Sequence, residues 1–111
     1  MQFSKELLKG SIRKLILSIL SEGELYGYQI SKEICRQSEE LLQFGEGSLY
    51  PALHALELEG SVKSKWVAQD KGPDRKYYQL TSKGRKELAR EKQEWTLFSE
   101  AMNRVLKSSL C

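Results

Sequence analysis

Ser48, Tyr50 and His54 place three hydrogen-bonding side chains within one short stretch, Glu-Gly-Ser-Leu-Tyr-Pro-Ala-Leu-His-Ala-Leu-Glu-Leu-Glu-Gly, residues 46–60. Leu49, Ala52, Leu53 and Leu56 carry the one-stripe spacing of an amphipathic helix. At about 100° per residue, Gly47, Pro51, His54, Ala55 and Leu58 point away from that stripe, with Tyr50 on its flank. Gly47 or Ser48 is the expected cap, Gly60 the expected stop, and Pro51 fits a first turn whose N–H groups lack intrahelical partners. Small and hydrogen-bonding groups at a helix N-terminus suit the major groove of DNA. Taken alone, the stretch reads as a core helix with a solvated side, so its flanks decide.

The downstream flank is basic. Residues 1–60 carry six Lys/Arg against nine Glu, residues 61–90 nine against three Asp/Glu, and residues 91–111 three against three. The net charge of +3 is therefore the sum of −3, +6 and 0, and the cations are concentrated in one segment. A localised anionic partner follows from such asymmetry. Lys63, Lys65, Lys71, Arg75 and Lys76 lie there, on two stretches of period-two alternation around Gln-Asp-Lys-Gly-Pro-Asp, a turn-forming run. This predicts a β-hairpin over Val62 to Leu80, with Val62, Ser64 and Trp66 on one side of the first strand and Lys76, Tyr78 and Leu80 on one side of the second. The competing reading is a solvated edge guarded by lysines.

Other chemistries are poorly served. The chain has one histidine and two cysteines, Cys35 and Cys111, too few for a four-ligand Cys/His zinc site within one subunit. Cys35 reads as a small apolar helix residue and Cys111 as a free thiol, which fits a reducing compartment. No Gly-rich phosphate loop or spaced nucleophile–base set is present. An enzyme, a metal site and a cofactor are not expected. No apolar run approaches the roughly 20 residues of a membrane span, and no secretory leader is recognisable, so the cytoplasm is the expected location.

Residues 4–22 predict a helix capped by Ser4, broken near Gly10, with a stripe of Leu8, Ile12, Leu15, Ile16, Ile19 and Leu20. Lys5, Lys9, Arg13 and Lys14 fall off that stripe and read as a solvated face in preference to phosphate contacts from an N-terminal arm. Residues 26–37 predict a second helix on Tyr26, Ile30 and Ile34, in which Gly27 permits close approach of another backbone and Tyr28 stands off the stripe as a rim aromatic or phosphate donor. Leu41, Leu42 and Phe44 of the connection are expected beneath the helices. Thr81 or Ser82 can cap a final helix, since Arg85 to Cys111 contains no Gly or Pro. Its stripe, Leu88, Trp95, Phe98, Met102 and Val105, is too long to bury inside 111 residues and predicts a homodimer. The expected fold is mainly α with a small β-hairpin: a winged helix-turn-helix DNA-binding domain, residues 1–81, followed by a long C-terminal dimerisation helix, residues 82–111.

The chain resembles the PadR-like transcriptional regulators, in the short form with one C-terminal helix. The resemblance spans nearly the whole chain and rests on Leu-Leu-Lys-Gly-Ser (7–11), Leu-Ile-Leu-Ser-Ile-Leu (15–20), Leu-Tyr-Gly-Tyr-Gln-Ile (25–30), Gly-Ser-Leu-Tyr-Pro-Ala-Leu-His (47–54), Leu-Glu-Leu-Glu-Gly (56–60) and Gly-Pro-Asp-Arg-Lys-Tyr-Tyr-Gln-Leu-Thr (72–81). It implies a homodimeric winged-helix repressor of a nearby gene that binds a palindromic operator in double-stranded DNA. By that resemblance Ser48, Tyr50 and His54 lie on the recognition helix, Arg75 and Lys76 on the wing, and Tyr28 at the start of the second helix. It also implies a small aromatic or apolar effector, with Trp95 lining its pocket at the dimer interface. The chain departs from the family at Ala55 and Leu58, where basic residues are common, and at Ser61, usually apolar. A rival reading is a winged-helix module for protein–protein contact, which the apolar Leu58 favours.

Overall fold

Local signals place most of the elements. In the computed structural model, which describes residues 3–107, the Ser4 side chain caps α1 (Lys5–Leu8) by accepting from the Leu7 N–H. Gly10, at φ +81°, breaks the chain before α2 (Ser11–Leu20). Residues Leu25–Tyr26 form β1, and Tyr26 is the N-cap of α3 (Gly27–Gln37). Then come α4 (Glu46–Leu58), the strands β2 (Val62–Val67) and β3 (Arg75–Leu80), and α5 (Ser82–Leu106), capped by Thr81. Cys111 lies outside the described residues.

The hairpin is part of a three-stranded antiparallel sheet in the order β1-β3-β2. Val62, Ser64 and Trp66 face Leu80, Tyr78 and Lys76 in register, while Leu25 and Tyr26 pair with Tyr78 and Tyr77. Two residues cannot express a two-residue period, so β1 leaves no pattern in the sequence. Only the inner end of the predicted alternation is buried. Val62, Tyr78 and Leu80 enter the core, whereas Trp66 is 67% exposed because the hairpin runs past the helices there.

The core gathers Ile16, Leu17, Leu20, Ile30, Ile34, Leu49, Leu53, Leu56, Val62, Tyr78, Leu80 and Leu88. Helix α2 meets α3, α4, α5 and β3, which is why Leu17, outside its expected stripe, is also fully buried. Leu42 and Phe44 pack against this core as expected, but Leu41 is exposed.

Three local expectations change. Helix α4 starts from Gly45 rather than Gly47 or Ser48. Pro51 consequently lies in the second turn, where its missing N–H leaves the Gly47 carbonyl without its usual partner. Leu88 does not belong to an outward dimer stripe. At 6% exposure it fills the chain's own core and anchors α5.

The start of α5 is held tightly. The Ser61 carbonyl accepts the Thr81 N–H at 3.1 Å, the Thr81 hydroxyl donates to the Gly60 carbonyl at 2.6 Å, and the Gly84 N–H donates to Thr81 Oγ1 at 3.0 Å. Arg13 fastens the next turns. Its Nε donates to Glu91 at 2.7 Å, one Nη to Glu87 at 3.4 Å and the other to Glu59, the C-cap of α4. Arg13 is thus an internal clamp joining α2, α4 and α5 and not part of a solvated basic face. Although its partial burial works in the opposite direction, the hydrogen bonds to Glu59 and Glu91 keep its guanidinium above its ordinary pKa.

Candidate nucleic-acid interface

Leu49, Leu53 and Leu56 bury one side of α4, and this turns the other side outward. Ser48 and His54 are exposed on that outer side, together with Gly47, Pro51, Ala55 and Leu58. Tyr50 is placed differently. Its ring covers Gly27, where a Cβ would stand 2.7 Å from Tyr50 Cε1 and 2.8 Å from the hydroxyl. The absent side chain at Gly27 therefore admits a tyrosine ring, not the backbone expected from sequence. The partly exposed Tyr50 links α4 to the start of α3. On α3, Tyr28 is exposed and Lys32 Nζ lies 5.3 Å from its ring centroid.

The hairpin cations fall into two groups. Lys63, Lys71 and Arg75 are exposed and make no ion pair among the described residues. The Arg75 guanidinium lies over Tyr26, 4.4 Å from the ring centroid, and Tyr26 meets Tyr77 edge-on at 5.5 Å. Lys65 and Lys76 have carboxylate partners, Glu24 and Glu57, each at 3.5 Å. Glu57 belongs to α4 and also accepts a hydrogen bond from the Ser64 hydroxyl of β2. The hairpin is thereby tied to the helix beside it. Sequence reasoning missed Glu57, because a glutamate flanking an apolar stripe gives no sign of a partner on a distant strand.

Beyond Leu88, the α5 stripe is open. Trp95 is 51% and Phe98 55% exposed, and Met102 and Val105 are exposed as well. Trp95 and Phe98 lie 6.1 Å apart between ring centroids. Trp95 also lines a cavity of about 590 Å³ between α1, α2 and α5, with Leu7, Leu8, Leu15, Leu42 and Leu88 among its walls. Lys14 is at the same cavity, its Nζ 5.7 Å from the Trp95 ring centroid. Among the described residues no cluster of His, Cys, Asp or Glu is arranged to hold a metal ion, and no helix is long and apolar enough to cross a membrane.

The chain matches the model of the transcriptional regulator PadR-like family over residues 16–90. Its fold is similar to a transcriptional regulator from Clostridium thermocellum, with a TM-score of 0.83 and 36% identity, covering 90% of this chain and 97% of that one. It is also similar to a PadR-like transcriptional regulator from Bacillus cereus, with a TM-score of 0.79 and 34% identity, covering 95% of this chain and all of that one. The negative transcriptional regulator PadR of Bacillus subtilis is 35% identical over 80 residues, which is 69% of this chain and 42% of that protein.

Proposed function

Because the chain belongs to the PadR-like family of transcriptional regulators, and is thus a DNA-binding regulator and not an enzyme, we propose that it acts in the cytoplasm as a homodimeric repressor of a nearby gene. The carrying observation is the pairing of an exposed α4 face with a basic hairpin fastened to it. In this reading residues 1–81 bind DNA and residues 82–111 dimerise. Helix α4 is the recognition helix and the hairpin is the wing. Ser48 and His54 approach base edges, while Tyr50 orients the helix against α3 and touches DNA with its open edge. Lys63, Lys71 and Arg75 neutralise phosphates, which supply affinity without sequence information. Tyr28 adds a phosphate hydrogen bond. Repression is the reading suited to a relative described as a negative regulator.

Trp95, Phe98, Met102 and Val105 form the dimer face, since exposed apolar rows of this size favour burial against a second copy. A two-fold dimer reads an inverted repeat whose half-sites lie about 10–10.5 bp, or a multiple, apart. The cavity beside Trp95 supports an effector site for a small flat apolar molecule, because its volume falls within the roughly 300–1,000 Å³ of ligand pockets. Its walls come from one protomer, with the exposed edge of Trp95 facing the proposed partner. A ligand there releases DNA only by binding the DNA-incompetent arrangement more tightly.

Footprinting on the upstream intergenic DNA tests the reading. Protection of an inverted repeat, lost when about half a turn is inserted between half-sites, is expected. Protection indifferent to that insertion rules out a rigid dimer. For the effector, planar aromatic compounds are titrated into operator complexes of Trp66→Phe and Trp66→Phe/Trp95→Phe protein. Equal release concentrations would leave Trp95 as packing only.

A further inference from the structure

The five wing cations have unequal freedom. Lys76 alone is paired with the recognition helix, its Nζ 3.5 Å from Glu57 Oε1 and 5.6 and 5.9 Å from the ring centroids of Tyr78 and Trp66. The other Glu57 oxygen is taken by the Ser64 hydroxyl. The Lys76 and Glu57 side chains are 33% and 32% exposed, so the pair is partly buried, with two aromatic rings beside Lys76. The Ser64 hydrogen bond, more than the nearby Lys76 charge, holds Glu57 below the ordinary carboxylate range.

A lysine in this position has two possible anionic partners in a DNA complex. To reach a phosphate it must leave Glu57, and the abandoned carboxylate would then face a polyanion. Staying on Glu57 costs one phosphate contact but keeps wing and recognition helix in one arrangement. Phosphate contacts add affinity for every sequence alike, whereas a fixed arrangement favours contacts that read bases.

We propose that Glu57 is a specificity-determining residue: it withdraws Lys76 from the phosphate backbone and holds the wing to the recognition helix through Lys76 and Ser64. The proposal rests on the DNA-binding reading above and departs from the expectation that Lys76 is itself a phosphate contact. Glu57 need not touch DNA to act. It lowers non-specific affinity by occupying a cation, and so widens the gap between operator and random sequence.

The test measures binding of the full chain to a random-sequence duplex between roughly 50 and 200 mM salt, for wild type, Glu57→Gln, Lys76→Gln and the double variant. Glutamine keeps the side chain's shape and its acceptor for Ser64, so the fold is retained. In Glu57→Gln the freed Lys76 gains a phosphate, and the salt slope steepens by about 0.9. The affinity lost over that salt range then grows by about 3.5-fold relative to wild type, which is fourfold salt raised to that slope. Lys76→Gln alone leaves the slope near wild type, and the double variant returns to it. The proposal is overturned if Glu57→Gln leaves the slope unchanged, or if Lys76→Gln alone removes a full contact. It is also overturned if the gain persists in the double variant, since the carboxylate would then act by its own repulsion. A wild type that binds no duplex at any salt overturns the DNA-binding reading and this inference together.

Discussion

Replacing Gly84 with Ala puts a methyl group where the Ser61 carbonyl already stands. A Cβ at that position lies 2.1 Å from Ser61 O and 3.0 Å from Leu80 Cδ2. A carbon–oxygen contact needs about 3.3 Å, so the shortfall against the carbonyl is about 1.2 Å. The Leu80 methyl can rotate aside. The carbonyl cannot, because it accepts the Thr81 N–H at 3.1 Å while the Ser61 N–H donates to Leu56 O at 2.9 Å and the Thr81 hydroxyl holds the neighbouring Gly60 carbonyl at 2.6 Å. Helix α5 must therefore tip away from the wing domain. Over-packing costs about 1–3 kcal/mol, and strain on the Thr81 cap adds about 1 kcal/mol. The better helix propensity of Ala returns at most about 1 kcal/mol. A net destabilisation of about 2 kcal/mol is expected, which lowers the urea midpoint by about 1 M. The assay is urea unfolding followed by circular dichroism at a fixed protein concentration, since the proposed dimerisation would couple stability to concentration. Gly47→Ala is the control. A Cβ there meets nothing within 4 Å, so that variant should gain about 0.4–1 kcal/mol. A Gly84→Ala midpoint at or above wild type would refute the reasoning that α5 is pinned at Ser61.

Other perturbations probe separate features. Ser61 is fully buried, and its hydroxyl has no hydrogen-bond partner among the described residues, so Ser61→Ala should raise stability by about 1 kcal/mol, read as a higher urea midpoint. Phe98→Glu and Met102→Glu change exposed positions, so the helical circular dichroism signal should persist while sedimentation shows monomers; a dimer unchanged in mass would place the interface elsewhere. Glu57 and Glu87 titrate below the ordinary carboxylate range, held there first by hydrogen bonds from Ser64 and Arg90 respectively. The stability they contribute is complete above the unfolded glutamate pKa of about 4.3, and it is lost as pH falls through their lower folded values. Acid unfolding of Glu57→Gln should accordingly depend less steeply on pH below about 4.3 than that of wild type, and equal steepness would argue against the clamp.

The order of residues by itself determined the parts governed by near neighbours. Ser4 and Thr81 could be read as caps because a cap bonds a backbone N–H three residues away, and Gly10 as a break because few other residues accept its φ. Leu49, Leu53 and Leu56 declared a buried face through helical spacing, and the turn-rich run between two alternating stretches declared the hairpin. The order of the helices and of the hairpin followed from these signals, whereas the two-residue β1 did not.

Tertiary structure decided which distant groups meet. Arg13 looked like one solvated cation among several, yet its carboxylates are 46, 74 and 78 residues away. Leu88 shares the heptad-like spacing of Trp95 and Phe98, and only the docking of α5 on α2 separates the core residue from the exposed ones. Tyr50 was legible as a residue on the flank of α4, but its seat over Gly27 depends on how α3 crosses α4. Lys76 was legible as a wing cation, but its pairing with Glu57 depends on where the sheet rests against that helix. Periodicity reports which face of an element is apolar. It does not report the partner across a long-range contact, which is set by how every packed element shares one core.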